Sequence, residues 1–204
     1  MAIGLATAGR TAIEDLPRAR FLFRNPVTAP RWLVLRGFLG SPWLTAGGHT
    51  VQDPAWMATG DGLKGFLTRA AALPAAPKQA PIAFDWYRSF LPSLLDVQAS
   101  TWFAKVVACG EVLLGVALLL GRFTGVAAFF GGFLNWNVML AGTASTTPLL
   151  FAVAVALLLA WQVAGASGLD RYLLPALGPP WQAGRLLGGA PAAGPSAPVP
   201  GRRA

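Results

Sequence analysis

Apolar residues along the chain fall into four blocks that are separated by polar and Gly- and Pro-rich stretches. The blocks cover about residues 30–48, 101–120, 123–142 and 148–166. Because roughly 20 apolar residues cross a bilayer as a helix, we predict an all-α integral membrane protein with a bundle of four transmembrane helices. For the first block, which contains Arg36 and Pro42, a buried core helix is the alternative.

The segment at residues 49–100 lies between the first two predicted spans and is too long and too aromatic for a simple linker. After Asp61, apolar residues recur at helical spacing, and prolines then end the pattern. Residues 85–91 mix aromatic rings with charges, which is typical of the boundary between water and lipid. We therefore expect an external segment that carries two short interfacial helices, the first with Asp61 as its N-cap and with an apolar face of Leu63, Phe66, Leu67 and Ala70.

The two ends of the chain have different compositions. Residues 1–29 are rich in arginine and lack the pattern of a cleaved leader, so we expect a basic N-terminal arm before a membrane domain at residues 30–177. Residues 178–204 are mainly Gly, Pro and Ala. Such a segment buries too little apolar surface to offset the entropy of ordering, which predicts a disordered tail.

The net charge of +8 comes from basic residues whose positions indicate how the chain is oriented in the membrane. In a soluble chain it would suggest nucleic acid as a partner. Here the basic residues flank the predicted spans on one side, before the first, between the second and third, and after the fourth. The positive-inside rule therefore places both termini in the cytoplasm, and the expected partner is the lipid bilayer rather than nucleic acid.

The chain contains one cysteine, Cys109, and one histidine, His49. A single cysteine cannot form an intramolecular disulfide or a CxxC redox pair. Together these counts predict no metal site made by this chain alone.

Small and polar residues define one contact face on each predicted span, as expected where helices pack closely in lipid. The faces are Arg36, Gly40, Trp43 and Gly47 on the first span, Ala104, Ala108, Glu111 and Gly115 on the second, Gly125, Ala128, Gly132, Asn135, Met139 and Gly142 on the third, and Ala152, Ala156, Ala160 and Ala164 on the fourth.

Arg36 and Glu111 are the ionisable residues of these faces, and an unpaired charge inside a span is costly. We therefore infer an Arg36–Glu111 ion pair, either as a structural clamp or as part of a redox or proton site. His49 stands at the outer end of its span, where it either relays a proton or simply occupies the interface. Asn135 is a candidate for the polar interior, with a role limited to interhelical hydrogen bonding as the alternative.

Several motifs occur in a fixed order over about residues 30–182. They read LRG at 35–37, WLTAGGH at 43–49, DPAWM at 53–57, GEVLLGVALLLG at 110–121, NWNVMLAGTAS at 135–145 and GLDRY at 168–172. As an ordered set they resemble the DoxX family, and in particular its DoxD-like members. This chain has Thr50 where related sequences often have a lysine.

The resemblance implies a four-helix protein of the bacterial or archaeal plasma membrane. Its DoxD-like branch is named for the large subunit of thiosulfate:quinone oxidoreductase, so the implied enzyme is the membrane subunit of a thiosulfate dehydrogenase that uses quinone. Arg36 and Glu111 fall where the family usually carries its intramembrane arginine and glutamate. No heme, flavin or iron–sulfur motif is present in the sequence, so we expect a periplasmic redox subunit or a larger membrane complex as the partner.

A quinone site requires an apolar slot, hydrogen-bond donors and a route for protons. We expect it among the first three spans, opening near His49 and the segment around Trp86. In it Glu111 and His49 are the catalytic candidates, and the residues expected to bind the quinone are Arg36, Trp43, His49 and Asn135. Two other functions stay open: a structural or assembly subunit of a membrane complex, and a carrier of a lipid-like or small anionic solute.

Overall fold

The computed structural model describes residues 16–73, 82–97, 99–143 and 145–178, and every regular element within them is helical. The predicted all-α fold class is therefore confirmed. The predicted disordered tail, apart from Gly178, and the first part of the basic arm lie outside the described residues.

Ten α-helices and one short 3-10 helix, Pro26–Thr28, make up the described fold. The α-helices are α1 (Pro17–Arg24), α2 (Ala29–Gln52), α3 (Pro54–Met57), α4 (Asp61–Ala71), α5 (Asp85–Asp96), α6 (Ser100–Leu120), α7 (Thr124–Leu140), α8 (Thr147–Leu159), α9 (Trp161–Gly165) and α10 (Asp170–Leu177).

Four long helical segments form an antiparallel bundle: α2, α6, α7, and α8 continued by α9. The helix α2 packs mainly against α6, and α7 packs mainly against α8. We call the end where α2 and α7 begin the Arg36 end, and the opposite end, which α4 and α5 cover, the Tyr87 end. Buried residues of the four segments form one core, and α4 and α5 form a second core with α6 and the end of α7.

Glycines bring α2 and α6 into close contact. A Cβ added to Gly47 would lie 2.6 Å from the backbone nitrogen of Val112, and one added to Gly115 would lie 2.5 Å from that of Leu44. No side chain larger than hydrogen fits at either position without separating the two backbones. The predicted use of small residues at helix contacts is correct for this pair.

The helix bounds differ from the predicted spans. By length and composition, Ser100–Leu120 is the one helix of the described residues that could cross a membrane, and Thr147–Leu159 is a shorter apolar helix. The third predicted block loses its last residues because the helix ends at Leu140, before Gly142, whose φ is 84°. The fourth block is divided at Ala160, where ψ departs from the helical value.

The contact faces predicted for the first three spans are largely confirmed, but the face predicted for the fourth is not. Ala152 is exposed and Ala156 is half-buried, whereas Val153, Ala154 and Leu157 are buried. Ala154, rather than Ala152 or Ala156, lies against Gly132 of α7, and only the later alanines of the predicted face, Ala160 and Ala164, are buried.

The basic arm contains more structure than the sequence suggested. Within it, α1 is attached to the start of α2, because the hydroxyl of Thr28 and the indole N–H of Trp32 both donate hydrogen bonds to the carbonyl oxygen of Leu22, at 2.9 and 3.0 Å. Thr28 and Trp32 are buried. The helix α1 is thus joined to the bundle through Thr28 of the 3-10 helix and Trp32 of α2.

The two short helices predicted between the first and second blocks are present as α4 and α5. Leu63, Leu67 and Ala70 are buried as the spacing predicted. Asp61 is not the N-cap of α4: it is the first helical residue, and the capping position belongs to Gly60, whose φ of 80° favours glycine. The close approach of Ser100 to Gly60 also leaves no room there for a side chain.

Candidate functional site

Arg36 lies in a polar cluster at the Arg36 end of the bundle and is only 1% exposed. Its Nη1 donates a hydrogen bond of 2.7 Å to the carbonyl oxygen of Ala164, near the end of α9. The last carbonyls of a helix lack partners within it, so a buried guanidinium is a suitable donor for them. Gly121 and Gly168 both touch the guanidinium and leave the space that it occupies.

Asp170 completes this cluster from the start of α10. It is 2% exposed, and its carboxylate oxygens accept hydrogen bonds from the backbone N–H groups of Phe123 at 2.6 Å and Thr124 at 2.7 Å. These groups begin α7, where free N–H groups and the helix dipole favour a negative charge. Asp170 also attracts the positive charge of Arg36.

The sequence did not predict this role of Asp170. The residue was visible only as part of the GLDRY motif, beyond the last predicted span, and nothing in its spacing connects it with Phe123. Two backbone hydrogen bonds, from Leu169 N–H to the Leu120 oxygen at 3.1 Å and from Asp170 N–H to the Gly121 oxygen at 2.8 Å, align the two segments.

Glu111 lies in a different part of the bundle. Its Cβ is 2.9 Å from the position where a Cβ of Gly47 would be. Arg36 precedes Gly47 by 11 residues, which places it about 16 Å further along the α2 axis at 1.5 Å per residue. The predicted Arg36–Glu111 ion pair is therefore wrong: these two described residues have separate partners.

The partner of Glu111 is Thr50. Oε2 of Glu111 and Oγ1 of Thr50 are 3.1 Å apart, and the Thr50 hydroxyl is also 2.8 Å from the Ala46 carbonyl oxygen. Because a hydroxyl has a single proton, donation to the Ala46 carbonyl leaves the Thr50 oxygen to accept a hydrogen bond from a neutral Glu111. Donation to Glu111 suits the ionised carboxylate, so the pair accommodates both charge states.

Trp43 and Asn135 are buried donors without acceptors. Trp43 is 8% exposed and Asn135 is 3% exposed, and neither the indole N–H nor the amide Nδ2 has a hydrogen-bond partner among the described residues. The position of a Cβ on Gly131 would be 3.3 Å from Nε1 of Trp43. Asn135 is on the same face of α7 one turn further toward the Tyr87 end, at about 6 Å along the axis.

We call four residues the polar layer because they lie within about 10 Å of one another along the bundle axis: Trp43, Thr50, Glu111 and Asn135. Gly47 contacts Glu111, and Trp43 precedes Gly47 by one turn of α2. Three of the residues predicted for a quinone site belong to this layer, namely Trp43, Glu111 and Asn135. The structure places a fourth, Arg36, in the separate cluster with Asp170.

His49 does not belong to the polar layer. Gly47 and Thr50 are the residues of this turn that face Glu111. His49 points to another side of the helix and is exposed. Trp86 is also exposed, at 63%. Catalysis by His49 stays a prediction, and the structure separates it from the buried donors.

Two cavities lie away from the predicted opening near His49. One of about 530 Å³ lies between the start of α7, Trp161 and α10, at the Arg36 end. The other, of about 390 Å³, lies between α7 and α8. Neither is lined by His49, Trp43 or Glu111.

Comparisons with known protein families, with characterised proteins and with solved structures give no match for this sequence. Function is therefore inferred from the polar layer, the cluster at the Arg36 end and the outer surface of the bundle.

Proposed function

We propose that this chain is a four-helix integral membrane protein that acts as the quinone-facing subunit of a DoxD-like oxidoreductase. The membrane part of the proposal is supported by the surface of the four long helical segments, which exposes large apolar side chains along its length. Examples are Val34 and Phe38 on α2, Val106 and Leu113 on α6, Val126, Phe130 and Phe133 on α7, and Leu149 and Leu159 on α8.

Water would solvate such a surface poorly, whereas lipid tails would cover it. The 18-residue apolar window of α6 is only 22% buried within the protein, so α6 is not an internal core helix. Exposed arginines gather at the Arg36 end: Arg18, Arg20, Arg24, Arg31, Arg122 and Arg171. This distribution supports a cytoplasmic Arg36 end and a plasma-membrane location.

A labelling experiment tests the orientation. Ser89→Cys in α5 and Arg171→Cys in α10 are made separately in a Cys109→Ser background, and intact cells are treated with a maleimide that cannot cross the membrane. We expect labelling at position 89 in intact cells and at position 171 only after lysis. Labelling at 171 alone would reverse the orientation, and extraction of the protein by alkaline carbonate would refute membrane integration.

The observation that carries the quinone part is the pair of buried donors, Trp43 Nε1 and Asn135 Nδ2. A buried donor without a partner lowers the stability of the protein by about 1–3 kcal/mol. Two such donors close together along the bundle therefore suit a ligand that supplies acceptors to both. A quinone supplies carbonyl oxygens as acceptors. Trp43 and Asn135 would hold those oxygens, and a quinone bound there would supply two-electron redox chemistry.

Glu111 is the residue suited to move a proton in this layer. Its carboxyl group is half-buried, and Thr50 can serve its neutral and its ionised form. Reduction of a quinone to a quinol takes up two electrons and two protons. We assign the proton transfer to Glu111 and the electrons to a periplasmic redox subunit that oxidises a reduced sulfur compound such as thiosulfate, as the resemblance implies.

Quinone binding tests the assignment. The full chain in lipid nanodiscs is titrated with a short-chain benzoquinone, and quenching of tryptophan fluorescence is measured. We expect Asn135→Leu to weaken binding about fivefold, the usual effect of one lost hydrogen bond, while the protein without quinone becomes no less stable because an unpartnered donor has been removed. Trp43→Phe should weaken binding similarly, and Trp102→Phe, at a tryptophan that is 59% exposed, is the control.

A second function is favoured by a different observation. Arg36 and Asp170 are both engaged in joining helix ends, and this use of the intramembrane arginine suits a structural or assembly subunit of a larger complex. If neither Asn135→Leu nor Trp43→Phe changes quinone binding, and the purified protein brings down a stable membrane complex, the structural function replaces the quinone assignment.

A further inference from the structure

The cavity at the Arg36 end has the size and composition of a site for a small apolar molecule. Its volume of about 530 Å³ lies within the range of about 300–1,000 Å³ that is usual for ligand pockets. Its walls include Phe123, Phe129, Trp161 and Leu174. It lies beside the anchor that Asp170 makes to the start of α7, and away from the polar layer.

Two polar side chains contribute to its lining, Thr124 and Asp170. Thr124 is fully buried, and its hydroxyl has no hydrogen-bond partner in the part of the chain that the structure describes. Each carboxylate oxygen of Asp170 accepts one backbone N–H and retains a second lone pair. The cavity therefore combines an unused hydroxyl with spare acceptor capacity on a buried acid.

The charge of the lining restricts the ligand. Asp170 is acidic, its counter-charge Arg36 does not line the cavity, and none of the described lining residues is a lysine, arginine or histidine. A phosphate or carboxylate head group would be repelled by Asp170 and would find no cation in the lining. A ligand carbonyl oxygen could accept a hydrogen bond only from Thr124, whereas a ligand hydroxyl group can also donate a hydrogen bond to Asp170.

We propose that this cavity binds a neutral, hydroxyl-bearing lipid, whose chain packs against Phe129 and Trp161 and whose hydroxyl group bonds with Thr124 and Asp170. This site is distinct from the quinone site, and it rests only on the membrane part of the proposed function. Because Thr124 is fully enclosed, the incoming hydroxyl must displace part of the cavity wall, so side chains near Trp161 move on binding.

Photo-crosslinking tests the proposal with two probes that differ only in their head group. The full chain in nanodiscs is irradiated with a long-chain alcohol that carries a mid-chain diazirine, or with the matched fatty acid at neutral pH, and the labelled peptides are identified. We expect the alcohol to label α7 and α10 at a concentration where the fatty acid does not. Equal labelling by both probes would show ordinary contact with bulk lipid and would overturn the proposal.

Variants locate the site. Leu174→Trp narrows the cavity and should abolish specific labelling by the alcohol, whereas Val155→Trp, which narrows the cavity between α7 and α8, should leave it unchanged. Thr124→Val keeps the side-chain shape and should weaken labelling about fivefold through loss of one hydrogen bond. Because the hydroxyl is unpartnered, Thr124→Val should fold normally, so unchanged labelling in that variant counts against the proposal.

The outcome is separable from the proposed function. Failure of membrane integration would appear in the carbonate extraction. Failure of the quinone site would appear as unchanged quinone binding in Asn135→Leu, and Asn135 does not line this cavity.

Discussion

The carboxylate of Asp170 accepts the backbone N–H of Thr124 at 2.7 Å, across 46 residues of sequence. The same carboxylate accepts the N–H of Phe123 at 2.6 Å. Phe123 has a φ of 52°, a conformation that is unfavourable for a side chain of its kind, and it follows Gly121 at 65°. One acid thus holds the sharp turn between α6 and α7 against the start of α10.

The first prediction concerns this acid. Asp170→Asn should lower the free energy of unfolding by about 2 kcal/mol, since hydrogen bonds to a charged group contribute about 1.5–3 kcal/mol and one amide position cannot accept. Thermal unfolding in detergent measures the loss. Asp96→Asn, at an exposed position near the end of α5, is the control and should not destabilise the protein. Equal effects would show that the Asp170 contacts contribute little.

The second prediction uses two adjacent glycines of α2. Gly47→Ala places a methyl group against the backbone of Val112 and should destabilise the protein by about 1–3 kcal/mol, as overpacking does. Gly48 has no atom within 4 Å of the corresponding position. Gly48→Ala should therefore stabilise the helix by about 0.5–1 kcal/mol. Thermal unfolding of the two variants must show opposite signs if the α2–α6 contact is as close as described.

A double-mutant cycle addresses Arg36 and Glu111. Because they occupy different levels of the bundle, Arg36→Leu and Glu111→Leu should have additive effects on stability within about 0.5 kcal/mol. A cycle between Arg36→Leu and Asp170→Leu should show coupling, since removal of one charge leaves the other buried without its counter-charge. Recovery of stability in the double variant of Arg36 and Glu111 would instead support the ion pair that the sequence suggested.

Tyr87 provides a prediction of pH dependence at the Tyr87 end. Burial raises the pKa of Tyr87 above its ordinary value of 10.0, and the hydroxyl donates to the backbone oxygen of Asn137 at 3.2 Å. The protonated form is thus favoured by folding. Its contribution is complete below about pH 10 and is lost as the pH rises through the higher folded pKa.

We therefore expect the attachment of α5 to α7 to weaken at alkaline pH. The measurement is thermal stability between neutral pH and about pH 11 for the native chain and for Tyr87→Phe. The variant should be less stable by about 1 kcal/mol at neutral pH, and the gap should close as Tyr87 ionises. A constant gap across this range would show that Tyr87 does not titrate in the folded protein.

Much of the fold could be predicted from local sequence patterns. The spacing of Leu63, Leu67 and Ala70 indicated the buried face of α4. The small residues of α6 indicated the face that packs against Gly40 and Gly47 of α2. These features depend only on residues within a few turns of one another, so helical periodicity is sufficient to find them. For the candidate site, the sequence identified Trp43, Glu111 and Asn135, because polar residues on an otherwise apolar face are rare.

The partners of these residues could not be predicted in the same way. Counting residues from the helix ends suggested that Arg36 lies near Glu111, but a long side chain can extend along its helix toward either end. The guanidinium reaches the Ala164 carbonyl oxygen because Gly121 and Gly168 leave space there. That space depends on how four helices meet, which no local pattern contains.

The sequence by itself determined that the chain is helical, where α4 and α5 lie, and which faces of α2, α6 and α7 are buried, because each follows from periodicity and side-chain size. Tertiary structure alone decided that Asp170 accepts the N–H groups at the start of α7, that Thr50 is the partner of Glu111, and that Trp43 and Asn135 lack acceptors among the described residues. The physical reason is that hydrogen bonds are short and directional. Which atoms form them depends on the relative depth and rotation of the packed helices. The spacing of residues along a single helix contains no information about either quantity.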